Sequence, residues 1–197
     1  MIYYFKNAQE YNWKSINLNG INVKYIGRYK SVEKLLNNLQ KDDLPSLSEI
    51  KESTKSMTGN FAAVVETENW LLALVDRISG YRLFYRSTEN GCILSNSPRQ
   101  LIDEQQNLLN PMQKSIAELK MLGYLSGNRT MAKDIFQMQA GEFLLSNKKT
   151  SSYSIDSYYK FYSSTTRIQD NQLLIEELDS ITNSIISRNI KDANGRV

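Results

Sequence analysis

The sequence predicts an α+β fold, and three observations carry that prediction. Short apolar runs come in pairs divided by turns: residues 61–65 (F-A-A-V-V) and 71–75 (L-L-A-L-V) flank the polar stretch 66–69, the pattern of a hairpin. Strand signals come first and in pairs, helix signals follow, and strands then resume. This is not the regular strand–helix alternation of a parallel sheet. A helix-spaced stripe closes the chain, with Leu174, Leu178, Ile181 and Ile185 on one face. At 197 residues, 41% hydrophobic and 23% charged, the chain is long enough for one good core, or for one domain plus an appendage.

The elements follow in order. Residues 2–5 and 21–26 read as strands, the second with Ile21, Val23 and Tyr25 on one face. Ser31 can cap a helix whose apolar positions are Val32, Leu35, Leu36 and Leu39. The segment 41–46 (K-D-D-L-P-S) reads as a loop. After the hairpin, Asp76-Arg77 and Gly80 make a turn, and strands at 81–86 and 91–95 follow. These four strands are expected to be neighbours in one antiparallel sheet, stacked on a second sheet, with 31–40 and 111–122 as covering helices. Ser97-Pro98 starts a short helix over 99–104, and Asn110-Pro111 opens a longer one with Met112, Ile116 and Leu119 on one face. Strands resume at 141–145 and 153–154, with Asn147-Lys148 as the hairpin tip. A Ser-, Thr- and Tyr-rich tract over 151–166 reads as a strand and then a linker. The long helix begins at Asp170.

Composition narrows the function classes. A net charge of +3 with scattered Lys and Arg does not support nucleic-acid binding. One Cys and no His exclude a disulfide framework, a Cys/His zinc site and a histidine general base. The N-terminus lacks a secretory pattern, and no apolar run approaches membrane-spanning length. The expected location is the cytoplasm.

Residues 59–85, G-N-F-A-A-V-V through D-R-I-S-G-Y-R-L-F-Y, resemble the central hairpin of the class II glutamine amidotransferase domain at the front of asparagine synthetases. The family pattern there is G-x-F-A, a hairpin, then R-D-x-x-G-x-x-P-L-Y-Y. The segment I-L-S-N-S at 93–97 with Gln100-Leu101-Ile102 is similar to the family's F-A-S-E strand and K-A-L-L helix. Arg129-Thr130-Met131 through Ile135, then Gln139-Ala140-Gly141-Glu142-Phe143, resembles T-L-F-x-x-I-x-x-L-P-P-G. The last helix and Asn194-Gly195-Arg196-Val197 look like the approach to the synthetase domain, so the match covers about residues 57–197. The resemblance implies an N-terminal-nucleophile (Ntn) hydrolase-like four-layer αββα sandwich of two antiparallel sheets with outer helices. It also implies a glutaminase-like domain over 1–165, and over 166–197 a linker and first helix leading to a synthetase domain.

Where the family has an N-terminal Cys nucleophile, this chain has Ile2 behind Met1, which offers only a thioether. R-x-H-R-G is absent, and N-G-E-I-Y-N is matched only by Asn19-Gly20. The resemblance therefore implies a degenerate domain with no catalytic, cofactor-binding or metal-binding residue of its own. ATP and Mg are expected for the synthetase domain, which is the expected partner, with a homodimer as a further possibility and neither nucleic acid nor membrane. Related members such as β-lactam synthetases and lasso-peptide cyclases keep the front domain without its glutaminase chemistry. Their other half adenylates a carboxylate that an amine then attacks. An asparagine synthetase-like enzyme using free ammonia and a stand-alone scaffold module are the alternatives. S-G-G-x-D-S beyond Val197 would separate the ligases from the scaffold.

The remaining candidates each have a structural reading that the residues favour. Asn19-Gly20 is a hairpin turn, and Asp42-Asp43 is a loop charge pair rather than a site for a glutamine amine. Cys92 is a buried small hydrophobe rather than a reactive thiol. Asp76 and Arg77 fix a turn through side-chain to backbone hydrogen bonds, with Gly80 supplying a positive φ angle. Arg82 and Arg86 form the solvated face of a strand. Tyr153, Tyr158, Tyr159 and Tyr162 pack at the core edge and linker rather than forming a stacking platform. The stripe of the last helix must bury itself against something, and the synthetase domain is the expected cover.

Overall fold

The computed structural model of the protein describes residues 5–6, 12–18, 20–37, 39, 43–88, 91–102, 112–162 and 170–193. It divides the chain into two units, residues 1–160 and 161–197.

In the first unit the architecture follows from two apolar runs that are buried on both faces. Strands β1 (Phe5–Lys6), β2 (Lys14–Leu18) and β3 (Ile21–Gly27) precede helices α1 (Tyr29–Leu36) and α2 (Leu47–Thr54). Next come β4 (Phe61–Glu66), β5 (Trp70–Val75), β6 (Phe84–Thr88), β7 (Gly91–Ser95), a 3-10 turn (Pro98–Leu101) and α3 (Gln113–Leu122). Strands β8 (Ile135–Gln137), β9 (Glu142–Asn147) and β10 (Ser152–Ser157) complete it. A six-stranded antiparallel sheet has the order β10-β9-β5-β4-β3-β2, and a four-stranded sheet the order β1-β7-β6-β8. The expected α+β arrangement of two stacked sheets with outer helices is the observed one. One strand pair departs from it, because β1 runs parallel to β7 with Phe5 opposite Leu94.

Successive side chains of a strand point to opposite faces, so β4 and β5 feed two cores at once. Phe61, Ala63, Val65, Trp70, Leu72 and Leu74 join Val32, Leu35 and Ile50 in the core beneath α1 and α2. Ala62, Val64, Leu71, Ala73 and Val75 face the other way, against Leu83, Tyr85, Cys92 and Leu94 between the sheets. A third cluster, Phe84, Leu101 and Ile135, lies on the outer face of the smaller sheet. A strand buried on both sides reads as an unbroken apolar run, which is the form of F-A-A-V-V and W-L-L-A-L-V.

Several sequence expectations are corrected. The hairpin β4–β5 and the pair β6–β7 lie in different sheets, not in one, because the chain crosses the sandwich between Val75 and Phe84. The strand expected at 81–86 begins only at Phe84. Ser31 is not a cap; Arg28 holds that position, and the Ser31 hydroxyl sits inside α1 and donates to the Thr58 carbonyl at 2.6 Å. Helix α2 falls just after the expected loop, started by a capping box in which Ser46 and Glu49 satisfy each other's backbone N–H groups. Helix α3 covers little, since Ser115 is its buried residue while Leu119 and Leu122 are exposed. The expected strand over 2–4, the helix over 103–104 and the Asn110-Pro111 start lie outside the described residues.

The second unit contains α4 (Asn171–Ala193), whose first turn is capped by the Asp170 carboxylate accepting from the Gln172 and Leu173 N–H groups. It is the only element of its unit among the described residues, so its Leu174–Ile185 stripe has no partner there.

Two glycines test how tightly the sandwich is closed. Gly27 ends β3 with φ +84°, and a Cβ there would lie 2.2 Å from the Asn60 carbonyl oxygen. Gly123 ends α3 with φ +78° and open space around it. Gly123→Ala should cost only the left-handed backbone term, about 1–2 kcal/mol. Gly27→Ala should cost at least about 2 kcal/mol more, since backbone must move. Urea unfolding of the two variants measures this, and equal midpoints would contradict the close approach.

Candidate functional site

The crossing between the sheets is made by Asp76-Arg77-Ile78-Ser79-Gly80, and it is built around one carboxylate. Asp76 is fully buried. Its Oδ2 accepts from the Phe61 N–H at 3.1 Å and the Gly80 N–H at 3.1 Å, and its Oδ1 accepts from the Ile78 N–H at 2.8 Å. Its own carbonyl accepts from the N–H groups of Ser79 and Gly141. One residue therefore ties the start of β4, the turn and the entry to β9. A buried charge is tolerated only when hydrogen-bonded in this way.

The neighbouring side chains serve the same end. Arg77 donates to the Lys55 carbonyl at 2.9 Å and lies 4.7 Å over the Tyr159 ring. The Tyr158 hydroxyl donates to the Val75 carbonyl at 2.7 Å, and burial, reinforced by the nearby Asp76 charge, pushes its pKa well up. It remains a protonated donor. Tyr153 meets the Tyr85 ring edge-on at 6.4 Å, at the margin of the inter-sheet core. The structural reading of Asp76, Arg77, Tyr153, Tyr158 and Tyr159 therefore holds, whereas Tyr162 is exposed rather than packed. Gly80 is a correction, because the positive φ belongs to Ser79, at +51°. Gly80 is needed for space instead: a Cβ there would lie 3.3 Å from both the Asn60 amide nitrogen and Asp76 Oδ2.

Beside this crossing lies a cavity of about 300 Å3, lined among the described residues by Trp13, Tyr81, Phe84 and Pro98, with Arg82, Asn96 and Ser97 as polar side chains. A smaller one, about 130 Å3, lies by Met57, Asn60 and Arg77. Arg82 is exposed but does not belong to a strand; it lines the larger cavity. Sequence reasoning did not single out Trp13, and it met Asn96 only inside the I-L-S-N-S motif at 93–97. Three segments far apart in the chain make this wall, so no local pattern marks it.

The thiol of Cys92 is 2% exposed, and burial pushes its pKa up to about 12. It is a core atom of the inter-sheet layer. Met1, Ile2, Asn19 and Asp42 lie outside the described residues, and Asp43 is exposed. Among the described residues, no three His, Cys, Asp or Glu side chains are grouped to hold a metal ion. No described helix is long and apolar enough to cross a membrane.

No family model and no curated protein matches this chain. Among solved structures it is similar to the glutamine phosphoribosylpyrophosphate amidotransferase from B. subtilis complexed with ADP and GMP, at 12% identity and a TM-score of 0.38. It is likewise similar to a structure described as the allosteric regulatory enzyme of purine biosynthesis, at 12% identity and a TM-score of 0.35. Each likeness covers 73% of this chain, which spans only 30% of the other chain's length. Both are likenesses of fold, and nothing about activity follows from them.

Two outcomes are expected of the side chains at the crossing and in the core. Asp76→Ala removes the acceptor of three backbone donors and should destabilise the first unit by about 3 kcal/mol or more, read from the shift in urea midpoint. A shift below about 1 kcal/mol would mean that water replaces the carboxylate there. Cys92 should resist a thiol-specific disulfide reagent at pH 8 in the native protein and react fully in guanidinium chloride. Rapid native labelling would contradict its burial.

Proposed function

We propose that this chain is the non-catalytic, glutaminase-like front domain of an asparagine synthetase-like, ATP-dependent ligase that activates a carboxylate and joins it to an amine. The observation that carries this reading is the placement of the resembling motifs on the fold. D-R-I-S-G forms the crossing between the sheets, and I-L-S-N ends β7 beside it. The Arg129–Ile135 segment leads into β8, and Gly141-Glu142 opens β9. Motifs that are separate in sequence thus sit at the successive junctions of one sandwich.

The absence of glutaminase chemistry in the proposal rests on side chains. Ile2 has no nucleophilic atom, and the buried Cys92 thiol stays protonated at neutral pH. ATP and Mg2+ would act in the synthetase domain, and no residue of this chain is assigned to them. The stripe of α4 is the surface we assign to that domain, because a lone helix cannot bury its own apolar face.

The test uses the full polypeptide that carries this chain, assayed for ATP–pyrophosphate exchange with a panel of carboxylates and for glutamate release from glutamine. Carboxylate-dependent exchange without glutamate release is the expected result. Glutamate release would overturn the non-catalytic reading. A polypeptide with neither S-G-G-x-D-S nor exchange activity would be the stand-alone scaffold.

A further inference from the structure

We infer that the cavity beside the Asp76 crossing is a binding site for a small molecule that joins a carboxylate to a flat apolar body. This inference is independent of the parentage proposed above and of any chemistry at the N-terminus. Its volume, about 300 Å3, falls at the lower end of the range of small-ligand pockets. Trp13, Tyr81, Phe84 and Pro98 give its mixed polar and apolar lining flat or rigid faces, which favour a planar partner over a flexible one.

The polar groups define the charge. Arg82 lines the cavity, is exposed, and has no hydrogen-bond or ion-pair partner among the described residues. Among the described residues that line it, none is acidic. Asp76, in the adjoining crossing, is committed to three backbone N–H groups. A guanidinium presents paired donors that match a carboxylate in two parallel hydrogen bonds. A phosphate, with close to two negative charges, would be poorly matched by one arginine. Asn96, 5% exposed, adds an amide to the wall.

The walls are held in place by the fold itself. The Trp13 ring packs on Phe5 with centroids 4.7 Å apart. Tyr81 passes over Gly27, where a Cβ would lie 2.8 Å from its ring. Phe84 and Asn96 sit at the start of β6 and just past the end of β7, and the Gly80 N–H is bound by Asp76. A site supported by packed neighbours needs little ordering when a ligand enters.

Intrinsic fluorescence reads this site directly. The protein has two tryptophans, and Trp70 is fully buried in the other core, so Trp13 is the reporter. The full chain is titrated with phenylacetate, phenylacetamide and glutamine. Phenylacetate should give a saturable change that is absent in Trp13→Phe. The amide should bind about tenfold or more weakly, and Arg82→Gln should weaken phenylacetate by a similar factor while Arg82→Lys recovers part of it. Because Arg82 is exposed and outside any strand, its variants should keep the wild-type unfolding midpoint. The inference fails if phenylacetate gives no saturable change or if acid and amide bind equally. It fails equally if Arg82→Gln has no effect, or if glutamine binds more tightly than phenylacetate.

Discussion

The first unit depends on a buried carboxylate, that of Asp76, which forms no ion pair among the described residues. Asp76 is balanced by backbone N–H groups from Phe61, Ile78 and Gly80, and these belong to three different parts of the crossing. A neutral side chain of the same shape would leave fewer strong acceptors for those donors, which are themselves removed from water. The carbonyl of the same residue holds Gly141, where a Cβ would strike the Tyr159 carbonyl at 2.5 Å. The crossing, the entry to β9 and the segment after β10 are thus locked together around a single turn. Their mutual position also sets the wall of the larger cavity.

What the sequence revealed follows from the range of each interaction. Alternation and hairpin turns act over a few residues, so β3, β4, β5, β7, β9 and β10 were legible, as was the helical period of α1 and α4. The sheet to which each hairpin belongs is decided by which face of the central strands it meets. F-A-A-V-V and W-L-L-A-L-V are apolar at every position, which marks burial on both faces but not which later strands meet which face. That is why β6 and β7 read as an extension of the first sheet. Helix α2 was recoverable from the S-L-S-E capping box at 46–49, a signal hidden by the loop-like K-D-D-L-P-S before it.

The candidate residues divide the same way. Asp76 and Arg77 were legible as turn-fixing residues because Asp followed by Gly four positions later is local turn chemistry. The burial of Cys92 was legible from its place in an apolar strand. Gly80 was read for the wrong property, since the strained backbone lies one residue earlier and Gly80 answers a steric demand from Asn60 and Asp76. Arg82 was read as one face of a strand that does not extend so far. Its role beside Trp13 and Asn96 comes from contacts between segments about 70 and 14 residues away in the chain, which no local spacing encodes.

The groups with chemical potential are largely committed to architecture. The Asp76 oxygens are taken by the crossing, Arg77 is held between Lys55 and Tyr159, Tyr158 is tied to Val75, and the Cys92 thiol is a core atom. A residue whose polar atoms are consumed by the fold cannot also turn over a substrate without releasing part of that fold. Arg82 differs, because its charge lines a preformed cavity with no internal partner among the described residues. The stripe of α4 differs too, because the described residues of its own unit include no other element to cover it. As proposed above, recognition would then use two features: a cavity in the first unit lined by Arg82 and aromatic rings, and the apolar face of α4 in the second.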